Sequence, residues 1–388
     1  MIKPNLVLVD ESAIYGGHES MLMSFLRGIL LPLSSVFNVY FVVNSQNKKL
    51  IFQLESNDFQ EISVLKISLS KIPMKPITQF FIVNDSLKMK STLKGLNPKL
   101  VLNIQGTIEI GCMTLWACRS LGIEVFSYLP ITKSSASLNV FLGRTRDFLC
   151  KALYYPIPQK IITISNSNSK ELTVQFDVPT ENISVVHNFV EHSMISSCVE
   201  VPKFKDKRRH LALIGRISNT QKCQFDFLNA WLKFEFIDQY VIHIVGDDDG
   251  QESQAIKALG EQAVSAGSIV FHGWQSQNYV SEVLRRCDTL LLPSRFEGVP
   301  LVMIEAIALG CLVVGTAVDG MKEFLPEELT FGVADWSTMF EIIQNTHQSD
   351  KTNLLLDIVR ERFEVFNQTR NTQTFLNLLM ERSYEYER

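Results

Sequence analysis

Two acidic residues, Glu297 and Glu305, lie in the stretch Leu290–Gly315, LLLPSRFEGVPLVMIEAIALGCLVVG. The pattern reads as a buried strand, a loop, a helix and a second buried strand. Val299 and Pro300 are expected to open the helix, because proline at a first helical position loses no hydrogen bond. Gly310 is placed to close it as a left-handed cap. The N–H groups of Gly298 to Val302 and the helix dipole favour an anion at this end. Glu305 falls about 6 Å further along the axis than Leu301. A phosphate at the helix mouth leaves Glu297 and Glu305 to accept hydrogen bonds from hydroxyls on either side. That chemistry suits a ligand with a central diphosphate and a sugar at each end.

Cations for such a ligand follow an earlier strand. Leu211–Gly215 runs into Arg216, with Lys222 shortly after. Arginine offers a permanently charged fork to phosphate oxygens, and lysine adds a point charge. Alone, this pair also reads as two surface cations. Phe271-His272-Gly273-Trp274 follows another strand. Gly273 would let the backbone approach a flat base, while Trp274 also reads as a rim or core aromatic. Asp247, Asp248 and Asp249 form either a solvated turn or, less simply, a Mg²⁺ site. Near the start, SAIYGGHE places Gly16 and Gly17 at a helix opening, where N–H groups can meet phosphate or sugar oxygens. It also reads as a tight turn. His18 has the chemistry of a general acid or base, or is structural.

The elements that must hold these residues alternate along the chain. Strands are expected at Asn5–Val9, Val39–Val43, Leu100–Ile104, Glu124–Tyr128, Lys160–Ile164 and Ile183–Val186. A second set is expected at Leu211–Gly215, Val241–Val245, Ser268–Phe271, Thr289–Leu292 and Leu312–Gly315. Strands separated by helical stretches imply parallel sheets covered on both faces. The fold class is α/β, with two Rossmann-like doubly wound domains facing across a cleft. The divisions are 1–190, a linker over 191–209 holding the basic run KFKDKRR, 210–365, and a C-terminal helix over 366–388 packing back on the first domain.

Bulk properties narrow the classes. The 388 residues allow two cores; 46 % hydrophobic and 20 % charged residues describe a globular chain. A net charge of −4 argues against nucleic-acid binding by bulk electrostatics. The first 200 residues carry about +3, which suits an acidic acceptor or anionic surface, or is ordinary variation. Cys112, Cys118, Cys150, Cys198, Cys223, Cys287 and Cys311 form no CxxC pair and are expected as buried thiols of a cytoplasmic protein. The start of the chain reads as a strand, not a secretory leader. Met21–Phe37 reads as a buried helix and its exit, being short and interrupted by Arg27 and Pro32.

Glu297-Gly298-Val299-Pro300-Leu301 with Glu305-Ala306 resembles the E-x7-E segment of the retaining glycosyltransferases of family four, which have the GT-B fold. Gly16-Gly17, Ser165, Asn188, Gly215-Arg216, Lys222, Gly246, Gly273-Trp274 and Gly320 with Glu323 follow in the family's order. The resemblance implies that Arg216 and Lys222 hold the donor diphosphate and stabilise it on departure. It implies that Glu305 binds ribose hydroxyls, that Glu297 contacts the transferred sugar, and that the amides of Gly298, Val299 and Leu301 meet the distal phosphate or sugar. Gly16-Gly17 would close over the donor, and Gly215, Gly273 and Trp274 would line its site. Two departures stand out. Many members carry a histidine after the strand that here reads Val125-Phe126-Ser127-Tyr128-Leu129-Pro130, so no base is assigned there. Acidic residues replace the glycine-rich turn usual after Ile242–Gly246.

The expected function is sugar transfer, with retention, from a nucleotide-diphosphate sugar to a glycan or lipid-linked acceptor in cell-surface polysaccharide synthesis. No cofactor or obligatory metal is expected, since Arg216 and Lys222 supply positive charge. Peripheral contact with the inner face of the cell membrane is a further expectation. The competing readings are a nucleotide-sugar sensor or inactive scaffold, and an epimerase or phosphorylase on the same fold.

Overall fold

The computed structural model describes residues 3–70, 75–78, 81–138, 140–196, 202, 204–246, 251–265, 267–348 and 351–381. The chain divides into two units, one of Met1–Asn188 with Thr369–Arg388 and one of Phe189–Gln368.

The first unit holds strands β1 (Asn5–Asp10), β2 (Asn38–Asn44), β3 (Ile62–Ile67), β4 (Pro98–Ile104), β5 (Glu124–Tyr128), β6 (Lys160–Thr163) and β7 (Ile183–Val185) in the order β3-β2-β1-β4-β5-β6-β7. The second holds β8 (Arg209–Ile214), β9 (Tyr240–Val245), β10 (Ile269–Gly273), β11 (Thr289–Leu292), β12 (Leu312–Thr316) and β13 (Thr330–Phe331) in the order β10-β9-β8-β11-β12-β13. Every pairing among the described residues is parallel. Both sheets are therefore of the doubly wound type expected. The central strands are buried almost end to end, as helices on both faces require.

Two strands escape the sequence reading. Ile62–Ile67, ISVLKI, lies at the sheet edge and is buried only at its two ends. Thr330–Phe331 has two residues.

The helix Gly17–Val36 buries Met21, Leu22, Phe25, Leu26, Ile29 and Leu33 on one face, at helical spacing. The last described helix, Gln368–Met380, packs on it: Phe375 stacks on Phe25 with ring centroids 4.6 Å apart. Gly28 permits this approach, since a Cβ there would come within 2.6 Å of Thr372 Cγ2.

The segment expected as a solvated linker is partly built into the second unit. Lys205 and Lys207 are exposed. Phe204, just before them, stacks on His210 and His243 with ring centroids 4.1 and 4.5 Å apart. Arg208 donates to the carbonyl of Gly267 at 2.8 Å. An aromatic within a basic run gains more by stacking than by exposure. Among the described residues no helix is long and apolar enough to cross a membrane. The six described cysteines are buried; Cys198 and the Asp247–Asp249 turn lie outside the described residues.

Candidate donor site

In the second unit, the carboxyl ends of β8, β11 and β12 bring most of the expected site residues together. β8 runs into Gly215, whose φ of +146° is costly for other residues. A Cβ on Gly246 would overlap the carbonyl oxygen of Gly215, so bare backbone is needed where β8 and β9 end. Arg216 follows, exposed, with Nη2 donating to Gln221 Oε1 at 3.2 Å. Gln221 in turn accepts, through its carbonyl, the N–H of Arg295 at 2.8 Å. That bond ties the Arg216–Lys222 turn to the loop carrying Glu297.

Lys222 passes close over Gly215, whose added Cβ would stand 3.6 Å from Lys222 Cε. Lys222 Nζ lies 2.5 Å from Glu297 Oε1. Ser294 donates its hydroxyl to the same oxygen at 2.7 Å. Asp319 accepts the Glu297 N–H through Oδ2 at 3.1 Å. Glu297 is buried, so its charge is held by a cation and a hydroxyl, as a buried carboxylate requires. The sequence reading gave Lys222 to the diphosphate and Glu297 to the sugar; it did not anticipate that they pair.

The helix begins one residue later than expected. Pro300, with φ −60° and ψ 128°, is the residue before the helix Leu301–Ala308, not its first member. Extended backbone here lets buried Gly298 and Val299 lie against Gly320, where a Cβ would overlap the Gly298 carbonyl oxygen. Gly310 has φ +77° and follows the helix as a left-handed cap, as expected. Glu305 keeps an open rim but is surrounded by protein on most sides. Burial pushes its carboxyl up to about 7, against a lowering influence from Gln277. Gln277 Nε2 donates to Glu305 Oε1 at a long 3.3 Å. A carboxylate so weakly engaged retains capacity to accept hydroxyl donors.

Gly273 has φ +67°, and its carbonyl accepts the Gly246 N–H at 3.0 Å. Trp274 beyond it is 63 % exposed, which favours the rim reading over the core one. A small hollow lies beside these ends, lined by Ile217, Ile244, Gly246, Phe271 and Gly273.

Gly16 and Gly17 belong to the first unit. Gly16 precedes the helix Gly17–Val36 and gives its N–H to Glu19 Oε2 at 2.7 Å. That donor is therefore engaged by the helix's own carboxylate, whereas the sequence reading directed it at a ligand. His18 is not isolated: it stands beside Asp10 and Glu19, both fully buried. Burial, and then the charge of Glu19, push Asp10 up to about 8. Burial would lower His18, but Glu19 and then Asp10 outweigh it and hold it above its ordinary value.

The reading of the sequence missed Ser294, Asp319 and Gln277. Asp319 and Gln277 reach the site from segments adjacent only in space, and Ser294 depends on which way its hydroxyl turns within the Glu297 loop. Asp319 did carry a local signal, since Asp-Gly favours a turn and its φ is +44°. A second miss is a chain of rings across three neighbouring strands. Asp206 Oδ1 meets His210 Nε2 at 2.7 Å, and His210 Nδ1 meets His243 Nε2 at 2.9 Å. His243 Nδ1 meets His272 Nε2 at 3.0 Å, and His272 Nδ1 meets the Tyr279 hydroxyl at 2.8 Å. Burial, and then the neighbouring His272 and His210, push His243 down to about 3.

Residues 208–347 match the family model described as glycosyl transferases group 1. Among curated proteins the chain is 27 % identical over 148 residues to lipopolysaccharide 1,6-galactosyltransferase of Salmonella typhimurium, covering 37 % of this chain and 39 % of that protein. It is 22 % identical to an uncharacterized glycosyltransferase of Methanocaldococcus jannaschii, covering 48 % of this chain and 54 % of that one. The chain thus matches about two fifths to half of the length of these relatives. Among solved structures, Anabaena HepE in complex with UDP superposes with a TM-score of 0.74 at 15 % identity, covering 97 % of this chain and all of that one. A glycosyltransferase from Rickettsia africae gives 0.72 at 14 % identity, covering 98 % and 99 %. The fold is of the GT-B class, and within its second unit residues 208–347 are similar to the glycosyl transferases group 1 model.

Proposed function

We propose that the protein is a retaining glycosyltransferase that moves a hexose from a nucleotide-diphosphate sugar to a glycan or lipid-linked acceptor in cell-surface polysaccharide synthesis. The observation that carries this reading is the set Arg216, Lys222, Glu297 and Glu305 at the carboxyl edge of one sheet, within the matched residues 208–347.

Arg216 extends its guanidinium from this edge, and with Lys222 it would neutralise charge developing on a departing diphosphate. Glu305 would accept the ribose hydroxyls. Glu297, held by Lys222 and Ser294, would meet the transferred sugar with its second oxygen. The amides of Gly298, Val299 and Leu301 would meet the distal phosphate or the sugar, and the hollow beside Gly273 and Trp274 would receive the base. Anabaena HepE was solved with UDP, and the Salmonella relative is named for galactosyl transfer. A UDP-hexose is therefore the first donor to test.

The test is a thermal-shift screen of UDP-, GDP-, ADP- and CMP-sugars, followed by NMR of the anomeric configuration of the product. A ligand bound only by the folded chain raises its apparent stability. One nucleotide-sugar that shifts the melting temperature, and a product retaining the donor configuration, are expected. No shift with any of the four classes sinks the donor assignment; an inverted product sinks the retaining one.

A further inference from the structure

We infer that Asp10, His18 and Glu19 form a divalent-cation site in the first unit. One ligand atom from each lies within 4.8 Å of the other two. His18 Nε2 and Glu19 Oε1 are 3.0 Å apart. That contact is an ion pair when the imidazole is protonated. Among the described residues, Asp10 Oδ2, His18 Nε2 and Glu19 Oε1 are all buried without a well-formed hydrogen bond. Buried polar atoms normally find a partner, and here the three point at one another.

The surroundings orient them as a ligand set requires. Asp10 Oδ1 accepts the Ser12 N–H at 2.7 Å, and Glu19 Oε2 accepts the Gly16 N–H at 2.7 Å. Each carboxylate therefore has one oxygen fixed by backbone and the other turned into the cluster, the arrangement that outer-shell hydrogen bonds impose on metal ligands. The His18 ring lies against Gly106, where a Cβ would come within 3.1 Å of Cε1. Bare backbone is thus needed to seat the imidazole.

Charge points the same way. Asp10, Glu11 and Glu19 are all buried at this spot. Glu11 has neutral partners in the N–H and hydroxyl of Thr114, at 2.8 and 2.9 Å. The cationic partner that Asp10 and Glu19 share is His18, beside one backbone N–H each. The helix N-terminus disfavours a cation, but Glu19 already engages the Gly16 amide there. Donors lie about 2.0–2.2 Å from a zinc ion, so ligand atoms of a tetrahedral site stand about 3.3–3.6 Å apart. The 3.0 Å between His18 Nε2 and Glu19 Oε1 falls just below that spacing, and all three ligand atoms lie within 4.8 Å of one another. One imidazole and two carboxylates suit Zn²⁺ or Mn²⁺. The His18 side chain is 14 % exposed, and it is the member of the cluster that reaches solvent, Asp10 and Glu19 being fully buried.

The test uses the full chain after treatment with a chelator, titrated with ZnCl₂ and MnCl₂ by calorimetry. One ion per chain and a saturating rise in melting temperature are expected. Asp10→Asn and His18→Gln should each weaken that binding at least tenfold. Glu19 is left unaltered because it also holds Gly16. Independently of any variant, substoichiometric Mn²⁺ should broaden the amide NMR signals of Gly16, Gly17 and Gly106 first. No stoichiometric binding, affinity unchanged from the parent in the variants, or first broadening elsewhere overturns the inference. Binding is read without sugar transfer, so failure of the donor assignment leaves this result interpretable.

Discussion

Lys222 and Glu297 are joined by a 2.5 Å ion pair that spans two separate loops of the second unit. The lysine follows β8 and the glutamate follows β11, strands that are neighbours in the sheet. Glu297 is buried, and Lys222 keeps 17 % of its side chain exposed. Removing one partner of a buried pair leaves an uncompensated charge and costs about 3–5 kcal/mol, less where water can reach it. Lys222→Ala should therefore destabilise the protein by about 2–3 kcal/mol as well as lower transfer. Glu297→Gln should cost less stability, because the amide can still accept from Ser294. Urea unfolding of both variants and the double variant checks this. Additive losses would show that the pair is not coupled.

Arg216 is the contrasting case. It is exposed, and its Nη2 donates to Gln221 Oε1 at 3.2 Å. Little stability depends on such a bond. Arg216→Ala should melt within a degree or so of the parent yet bind donor at least tenfold more weakly, since a charge-assisted contact is worth about 1.5–3 kcal/mol. Calorimetric titration with the donor found by the screen measures this. Unchanged affinity would remove Arg216 from the site.

Glu305 predicts opposite effects on stability and binding. Burial raises its carboxyl from 4.5 to about 7. The folded state then holds a proton that the unfolded state releases above 4.5. This group's contribution to stability is complete below pH 4.5, declines as pH rises, and is lost by about pH 7. Glu305→Gln removes that decline, so the variant should gain on the parent between pH 5 and 8. It should also lose donor affinity tenfold or more, because an amide competes poorly for two hydroxyl donors. Melting temperatures across that pH range, with donor titrations at pH 7.5, test both. A variant less stable than the parent at pH 8 would contradict the burial argument.

How far the sequence carried these assignments depends on where the signal lies. Buried parallel strands are short apolar runs, so nearly all of β1, β4, β8, β9, β11 and β12 could be read directly. The edge strand Ile62–Ile67 could not, because half-burial dilutes the run with Ser63 and Lys66. Gly215-Arg216, Lys222, Glu297 and Glu305 were legible because strand ends and helix starts have their own residue preferences. Their partners were not. Ser294 shares its loop with Glu297, but nothing local says which way its hydroxyl turns. Asp319 and Gln277 reach the site through pairings between distant segments. The three histidines of the ring chain are 33 and 29 residues apart along the sequence. Only strand order makes them neighbours. His18 was noticed, but Asp10 beside it was hidden in the apolar run of β1.

Gly320 offers a packing test of the loop that carries Glu297. A Cβ there would overlap the Gly298 carbonyl oxygen and stand 2.8 Å from Val299 Cγ2. Backbone cannot rotate away as a side-chain tip can. Gly320→Ala should cost about 1–3 kcal/mol, the usual range for overpacking, and displace Gly298 and Val299 from the helix mouth. Donor affinity should fall along with stability, unlike Arg216→Ala, where only affinity falls. A stable Gly320→Ala with full affinity would show that the loop has room to yield.

The ring chain makes the stability of the second unit depend on pH through His243. His243 lies within it, pushed down to about 3 from an ordinary 6.5 chiefly by burial. An unfolded chain takes up a proton at this residue below about pH 6.5 that the folded chain refuses. Its contribution to stability is therefore full above pH 6.5 and is lost progressively as pH falls towards 3. A His243→Phe variant keeps the ring stacked on Phe204 but cannot titrate. It gives up two hydrogen bonds, so it should be less stable than the parent at pH 8. The gap should narrow steadily from pH 6.5 to pH 4. Chemical denaturation at four or five pH values measures both slopes. Parallel slopes would mean that His243 titrates alike in both states, and that the contacts with His210 and His272 do not hold it neutral.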